Sequence, residues 1–401
     1  MVSAGISSST FQTYKTPITL MTLSMNKMAS HSFFLLLSTS LAVLATLSLA
    51  QAKQCFIEAI YSFGDSIADT GNLLQESTAG LFAPIGSLPY GQTMKKATGR
   101  CSDGLLMIDY FALNLNLSLI NPYLDKNSNF ESGVNFAVAG STALDSSFFV
   151  RRSIYTPVTN SPLGVQLEWF KTHLNSTCSS PTECARKLER ALILMGEIGG
   201  NDYNNAFFQG STIADVKSFV PLVVQRIISA AEEVIDLGAT QLVVPGNFPI
   251  GCVPSYLTMF ATTNAAAYDA DNCLKNFNSF AVYHNDHLQA ALEGLRRAHP
   301  RVTVMYADYY QAFMYLLNHA ADLGFDEGSL QRACCGAGGP YNFDINLMCG
   351  LPGTETCSEP SKYVSWDGIH LTQEAYRVMA QSLIMQGFAY PNHHFQEQWK
   401  C

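Results

Sequence analysis

Short apolar runs alternate along the chain with longer stretches in which apolar residues recur about every 3.6 positions. Short runs rich in β-branched residues predict buried strands, and the longer pattern predicts amphipathic helices. The alternation of the two predicts a parallel sheet covered by helices on both faces, an α/β fold in three layers. We predict five strands, at Ile57 to Phe63, Val134 to Val138, Ala191 to Met195, Gln241 to Val244 and Val302 to Tyr306.

Helices fill the intervals between these strands. Apolar residues follow the helical spacing from Val216 onward, and the predicted helix ends at Gly238. A second helix runs from about Ala265 to Ala298, and the last begins near Thr372, whose hydroxyl can cap it. Long loops are predicted at 72–104 and 336–365, and loops of that length in a compact domain are usually functional. The sequence shows no repeat or linker, so we predict a single domain over residues 53–401.

Residues 1–52 are interpreted as an N-terminal extension with a secretory signal peptide. Read from a second start at Met28, this segment has a short polar lead, the apolar run from Phe33 to Leu49, and small residues at 48, 50 and 52. That pattern is typical of a signal cleaved after Ala50 or Ala52. An uncleaved membrane anchor is the alternative, because the run is close to the shortest length that spans a bilayer.

Composition and charge narrow the class of protein. The 401 residues are 48% hydrophobic and 14% charged, which is typical of a folded globular protein, and the formal net charge is −9. Without a basic block this charge argues against a partner with a phosphate backbone. Eleven cysteines, all from Cys55 onward, fit an oxidising compartment, and their odd number leaves at least one unpaired. A local bridge between Cys178 and Cys184 is plausible, whereas adjacent Cys334 and Cys335 are expected to pair with distant partners.

Two smaller features bear on location and on metal binding. Asn116-Leu117-Ser118 and Asn175-Ser176-Thr177 match the acceptor motif for N-glycosylation and agree with a secreted or vacuolar protein. His284 and His287 lie on a predicted helix, and we interpret them as surface residues, not zinc ligands.

Polar residues follow three predicted strands, at the edge where doubly wound sheets bind ligands. These segments, with a fourth before the last helix, are Gly64-Asp65-Ser66, Ala139-Gly140-Ser141, Gly199-Gly200-Asn201-Asp202 and Asp367-Gly368-Ile369-His370. They supply a hydroxyl, a flexible backbone donor, a side-chain amide, and a carboxylate near an imidazole. Each segment alone is a common turn, but their joint placement indicates a functional site.

The chemistry of these residues predicts a serine hydrolase. A serine hydroxyl needs an adjacent base to become nucleophilic, and the imidazole of His370 would serve Ser66. Asp367 can fold back across the turn to hold the second ring nitrogen. The N–H groups of Ser66 and Gly140 and the amide of Asn201 would stabilise the tetrahedral intermediate. The motifs Gly-x-Ser-x-Gly and Gly-x-x-x-x-Gly-Lys are both missing from the sequence.

At these residues the chain resembles the plant GDSL esterase/lipase family of the SGNH hydrolase superfamily. The matching stretches are 63–66 with 69–72, 134–140, 199–202 and 367–370, together with 89–91, 98–104 and 334–336. The resemblance implies the flavodoxin-like SGNH fold and ester hydrolysis with catalytic Ser66, Asp367 and His370. It also implies an oxyanion hole made by Ser66, Gly140 and Asn201. Residues 246–252 and 364–367 are similar to the branch containing sinapine esterase and acetylajmalan esterase, which implies an ester of plant specialised metabolism.

We therefore predict a secreted or vacuolar serine esterase for acetyl or aromatic-acyl esters, without a metal or organic cofactor. We expect a monomer that binds a small-molecule ester, binds no nucleic acid, and has no stable membrane span in its mature form. An acyltransferase with the same acyl-enzyme is the main alternative, and a catalytically silent binding protein is the third. Loop aromatics either stack on a ring-bearing substrate or anchor the loops; they are Phe82, Tyr90, Tyr341, Phe343 and Tyr363.

Overall fold

The computed structural model describes residues 57–76 and 83–391. The predicted signal peptide within residues 1–52, and Phe82, lie outside the described residues. Within the described ranges, no helix combines the length and apolar character needed to cross a membrane.

Eight short strands form two sheets in the described part of the chain. They are β1 Ala59–Phe63, β2 Gly133–Asn135, β3 Ala191–Met195, β4 Gln241–Pro245, β5 Thr303–Ala307, β6 Cys335–Gly336, β7 Glu355–Thr356 and β8 Ala389–Tyr390. The main sheet has the order β2-β1-β3-β4-β5-β8, and β6 pairs with β7 separately. Strands β1 to β5 run parallel, which confirms the predicted sheet. The antiparallel edge strand β8 was missed, because two residues are too few to show a strand pattern.

The helices surround this sheet. Those of α type are α1 Asn72–Glu76, α2 Met107–Asn114, α3 Ser146–Val150, α4 Leu163–Thr177, α5 Pro181–Leu188, α6 Gly200–Phe207, α7 Ile213–Lys217, α8 Val220–Asp236, α9 Pro254–Met259, α10 Lys275–Ala298, α11 Tyr309–Asn318 and α12 Gln373–Met385. Single 3₁₀ turns lie at Ala83–Gly86, Gln92–Met94, Ile250–Cys252, Ala265–Ala267, Glu327–Ser329 and Pro360–Lys362.

The core has two halves, one on each face of the sheet. In β3, Ile193 and Met195 pack with α4, α8 and α10, whereas Leu192 and Leu194 pack with α2, α11 and α12. Because both faces of a parallel sheet are covered, its strands are apolar at nearly every position. This explains why the strands were visible in the sequence as continuous apolar runs.

Two predicted helices are shorter in the structure than in the sequence pattern. The pattern from Val216 to Gly238 divides into α7 and α8, and Pro221 lies in the first turn of α8. Proline is tolerated there but not inside a helix, because it has no N–H to donate. Helix α10 begins at Lys275, since the preceding Cys273 is bound to Cys252 by a disulfide. Helix α12 begins where predicted, with the hydroxyl of its N-cap residue accepting a backbone N–H.

Four disulfides cross-link the described chain: Cys178–Cys184, Cys252–Cys273, Cys334–Cys357 and Cys335–Cys349. The local bridge and the separate partners of the two adjacent cysteines agree with the sequence prediction. Cys101 is the one free cysteine among the described residues, and it is buried.

The surface interpretation of His284 is wrong. This side chain is 1% exposed, and its Nδ1 lies 2.7 Å from the hydroxyl oxygen of Tyr203 on α6. Burial lowers the pKa of His284 to about 3, so the imidazole is neutral. Packing of α6 against α10 covers the helix face that the sequence pattern left exposed.

A buried ion pair joins Arg100, in the segment 83–106 before α2, to Asp109 in α2. Arg100 donates from Nε and Nη2 to the two carboxylate oxygens of Asp109, each at 2.8 Å, and both side chains are at least nine-tenths buried. Asp109 also accepts the N–H of Leu106 at the start of α2. The pair therefore ties this segment to the helix that covers one face of the sheet.

We expect Asp109→Ala to lower the free energy of unfolding by about 3–5 kcal/mol, because Arg100 would keep a buried charge without its partner. Urea unfolding followed by tryptophan fluorescence measures the change. Glu58→Ala breaks the exposed pair with Arg190 and is the matched control, with an expected loss below about 1 kcal/mol. Similar losses in both variants would contradict a specific contribution of the buried pair.

Candidate active site

Ser66 lies in a sharp turn at the carboxyl end of β1. Gly64 in this turn has φ +140°, and a Cβ there would lie 2.9 Å from the carbonyl oxygen of Glu197, so the position requires glycine. The side chain of Gln166 on α4 accepts the N–H of Gly64 and donates to its carbonyl. The N–H of Asp65 donates to the carbonyl of Glu197 at 3.0 Å. These bonds hold the turn that presents Ser66 to the cavity.

Asp69 joins the Ser66 turn to the loop after β2. Its buried carboxylate accepts the N–H groups of Gly71, Asn72, Leu73 and Ala139 at 2.6–3.1 Å. Burial raises the pKa of Asp69 to about 6, and the four N–H groups oppose that rise. The bond to Ala139 fixes the backbone directly before Gly140, so one side chain organises two of the predicted segments.

The three predicted oxyanion donors differ in their present partners. The backbone N–H groups of Ser66 and Gly140 have no acceptor among the described residues. The Nδ2 atom of Asn201 donates at 3.0 Å to Oδ2 of Asp65 and at 3.0 Å to the carbonyl of Ser141. Two acceptors thus orient the amide of Asn201. A substrate oxygen that accepted a hydrogen bond from this amide would replace one of them.

Gly140 lies directly against Val158. It has φ +82°, and a Cβ at this position would lie 2.4 Å from the Cβ of Val158. Val158 lines the cavity, and Gly140 is not among the lining residues. The position therefore needs glycine for its backbone conformation and for this close approach.

Asp367 and His370 form a buried pair in the turn before α12. Nδ1 of His370 lies 2.7 Å from Oδ2 of Asp367, while Oδ1 accepts the N–H groups of Ile369 and His370. Burial alone would raise the pKa of Asp367, but the imidazole and these hydrogen bonds hold it below its ordinary value. The ionised carboxylate favours the tautomer with its proton on Nδ1, so Nε2 is the basic nitrogen of the ring.

Ser66, Asn201 and His370 line one cavity of about 370 Å³. That volume lies within the range of small-molecule sites. Six aromatic residues share its wall: Tyr155, Tyr203, Phe208, Phe248, Tyr256 and Phe313. Neither lysine nor arginine lines it within the described ranges. The arrangement joins an apolar binding surface to a hydroxyl, an imidazole and an amide donor.

The loop aromatics with two possible roles, substrate contact or loop anchor, pack away from this cavity. None of Tyr90, Tyr341, Phe343 and Tyr363 lines this cavity. Tyr90 and Phe343 are buried, and Tyr341 and Tyr363 pack at the edges of hydrophobic clusters. For these four residues the loop-anchoring alternative is therefore correct.

Two carboxyl groups beside the nucleophile were not assigned from the sequence. Glu197 is 7% exposed and lines the cavity, and its Oε2 accepts no hydrogen bond from the described residues. Burial, with a contribution from nearby Asp65, raises the pKa of Glu197 well above its ordinary value. Burial also raises the pKa of Asp65 to about 7. The available signal was a charged residue two positions after a buried strand, where unpaired charge is rare.

Comparisons with known proteins cover most of the chain. A family model described as GDSL-like Lipase/Acylhydrolase matches residues 60–383. A GDSL esterase/lipase of Arabidopsis thaliana is 46% identical over 374 residues, which are 92% of this chain and 94% of that protein. Acetylajmalan esterase 1 of Rauvolfia serpentina is 44% identical over 331 residues, 82% of this chain and 86% of that protein. Among solved structures, phospholipase A1 of Streptomyces albidoflavus NA297 gives a TM-score of 0.36 at 14% identity, covering 82% of this chain and 99% of that one.

Proposed function

Because the chain belongs to the GDSL-like lipase/acylhydrolase family, whose plant members are carboxylic ester hydrolases, we propose that it is a serine esterase acting through Ser66, His370 and Asp367. The family membership agrees with the resemblance seen in the sequence. The observation that carries the residue assignment is the Asp367–His370 pair, 2.7 Å between Oδ2 and Nδ1, on the same cavity as Ser66.

In the proposed reaction, Nε2 of His370 takes the proton of Ser66 as the hydroxyl oxygen attacks the ester carbonyl. The oxygen of the tetrahedral intermediate accepts hydrogen bonds from the N–H groups of Ser66 and Gly140 and from the amide of Asn201. Collapse of the intermediate breaks the bond to the alcohol, which leaves with the proton from His370. Water, activated by the same imidazole, then attacks the acyl-enzyme and releases the acid and free Ser66.

We propose acetyl or aromatic-acyl esters of small metabolites as substrates. The cavity volume and its aromatic wall support a ring-bearing small molecule. The name of acetylajmalan esterase 1 states an acetyl ester for that protein, and its similarity over 82% of this chain supports a short acyl group here.

We also propose that the enzyme works in the extracellular space or the vacuole. Four disulfides support passage through an oxidising compartment. Asn116 and Asn175, the asparagines of the two glycosylation motifs, are both exposed, as an attached glycan requires.

The test of ester hydrolysis uses the full chain, secreted from a eukaryotic host. A series of p-nitrophenyl esters of increasing acyl length measures turnover, and a competing alcohol measures acyl transfer. A fluorophosphonate followed by peptide mass spectrometry identifies the modified residue. We expect fastest release with short or aromatic acyl groups and a single adduct on Ser66. An adduct elsewhere would refute the nucleophile, and dominant transfer to the alcohol would favour the acyltransferase alternative.

Asn201→Ala is expected to reduce kcat by about 10²–10³-fold, with little change in KM, because one oxyanion donor is lost. Steady-state kinetics with p-nitrophenyl acetate measures both constants, and thermal unfolding checks that the variant is folded. A rise in KM at unchanged kcat would instead indicate that Asn201 only binds substrate in its ground state.

A further inference from the structure

We propose that Tyr90 is a positioning residue that holds the carboxylate of Asp367 for the reaction. This inference rests on the proposed function and adds a residue to it. The hydroxyl of Tyr90 donates to Oδ2 of Asp367 at 2.8 Å, and the same oxygen lies 2.7 Å from Nδ1 of His370. One carboxylate oxygen thus joins the phenol to the imidazole, although Tyr90 is 277 residues away in sequence.

The ring of Tyr90 is fixed on several sides. It is 1% exposed and meets Trp366 edge to face, with 5.9 Å between ring centroids. Trp366 directly precedes Asp367, so this contact and the hydrogen bond act on consecutive residues. The backbone after Tyr90 is held by a hydrogen bond from the N–H of Gly91 to the carbonyl of Ser102. The phenol is therefore a preorganised donor.

A phenol is suited to this position because it donates a hydrogen bond without adding charge. Burial, with the neighbouring carboxylate, raises the pKa of Tyr90 well above its ordinary value, so the hydroxyl stays protonated at working pH. On the Asp367 carboxylate, Oδ1 accepts the backbone N–H groups of Ile369 and His370. The hydrogen bonds given for Oδ2 in the described part of the chain are those with the Tyr90 hydroxyl and with Nδ1 of His370. Without this donor, Oδ2 would turn more freely and interact more strongly with the imidazolium.

The other titratable groups near this pair do not compete for the same role. Cys101 and Tyr376 are buried near Asp367, and burial raises the pKa of each well above its ordinary value, so both remain neutral. Asp65, whose pKa burial raises to about 7, interacts with His370 from the opposite turn. Neither a phenylalanine nor a fluorinated tyrosine at position 90 changes the hydrogen bonds of Asp65.

The test compares the full chain with Tyr90→Phe. We expect kcat to fall about tenfold with KM within about twofold, because a hydrogen bond to a charged group is lost. A stronger field from Asp367 stabilises the imidazolium, so the acid limb of the pH–rate profile should move upward by about half a unit to one unit. The low-field proton resonance of His370 Nδ1–H should shift in the same variant, and this signal is read without any substrate.

A second substitution covers the case in which Tyr90→Phe does not fold. Incorporation of 3-fluorotyrosine at position 90 keeps the shape and strengthens the donor, so the acid limb should move to lower pH. Tyr376→Phe is the control, because its hydroxyl is not among the hydrogen-bond donors to Asp367 in the described structure. An unchanged pH profile and an unchanged Nδ1–H resonance in the position-90 variants would overturn the proposal. Missing Ser66-dependent turnover in the wild type would instead refute the proposed function, while the resonance would still report on the Tyr90 contact.

Discussion

Replacing Ser66 by alanine is expected to lower kcat for ester hydrolysis by about 10⁶-fold, the effect of removing the nucleophile of a serine hydrolase. The remaining groups would still bind substrate and polarise its carbonyl, but no covalent intermediate can form. Comparison of wild type and Ser66→Ala with p-nitrophenyl acetate, corrected for hydrolysis in buffer, measures the loss. The variant should unfold at the same temperature as the wild type.

Ser382→Ala is a matched control for this experiment. It removes a serine hydroxyl that is fully buried on α12 and does not line the cavity. We expect its activity to stay within about twofold of wild type, since only a stability effect is anticipated. Turnover retained in Ser66→Ala would refute the assignment of this residue.

Asp367→Asn is expected to reduce kcat at neutral pH by about 10⁴-fold, the magnitude known for the corresponding change in a catalytic triad. The carboxylate accepts hydrogen bonds from His370 Nδ1, from the Tyr90 hydroxyl and from two backbone N–H groups. An amide nitrogen in place of one oxygen cannot accept them and favours the imidazole tautomer with its proton on Nε2. That ring nitrogen then has no lone pair to take the proton of Ser66.

The rate of acylation by p-nitrophenyl acetate in single-turnover experiments measures this loss. Asp308→Asn is the control, because Asp308 is another buried carboxyl in a helix-capping turn and does not line the cavity. Comparable losses in both variants would indicate a general effect of removing buried charge, and a small loss in Asp367→Asn would contradict the proposed role of Asp367 in holding the His370 tautomer.

The sheet could be predicted because its strands are buried on both faces, so most of their positions are apolar. The candidate-site segments could be located for a related reason: the carboxyl ends of parallel strands meet at one edge of the sheet. Local sequence patterns could not predict the features that depend on contacts between distant residues. The start of α10 depends on the Cys252–Cys273 bridge, and the burial of His284 depends on packing against Tyr203.

The same limit applies to the candidate site. Asp367 and His370 are separated by only two residues, so the pair was visible in the sequence. The bond between Tyr90 and Asp367 crosses 277 residues, and the burial of Glu197 depends on the whole cavity wall. The sequence marked the loop that contains Tyr90, but its hydroxyl could be assigned only when the fold placed the two segments together.

The two disulfides made by Cys334 and Cys335 also bear on the segment that contains Asp367 and His370. The N–H groups of these cysteines donate to the carbonyls of Ser365 and Trp366, directly before Asp367. The bridges to Cys357 and Cys349 therefore brace the segment that contains Asp367 and His370, while the side chain of Gln166 holds the Ser66 turn by hydrogen bonds. A nascent chain in the reducing cytosol would lack this brace. Under the proposed export, the brace would form when these two disulfides are made.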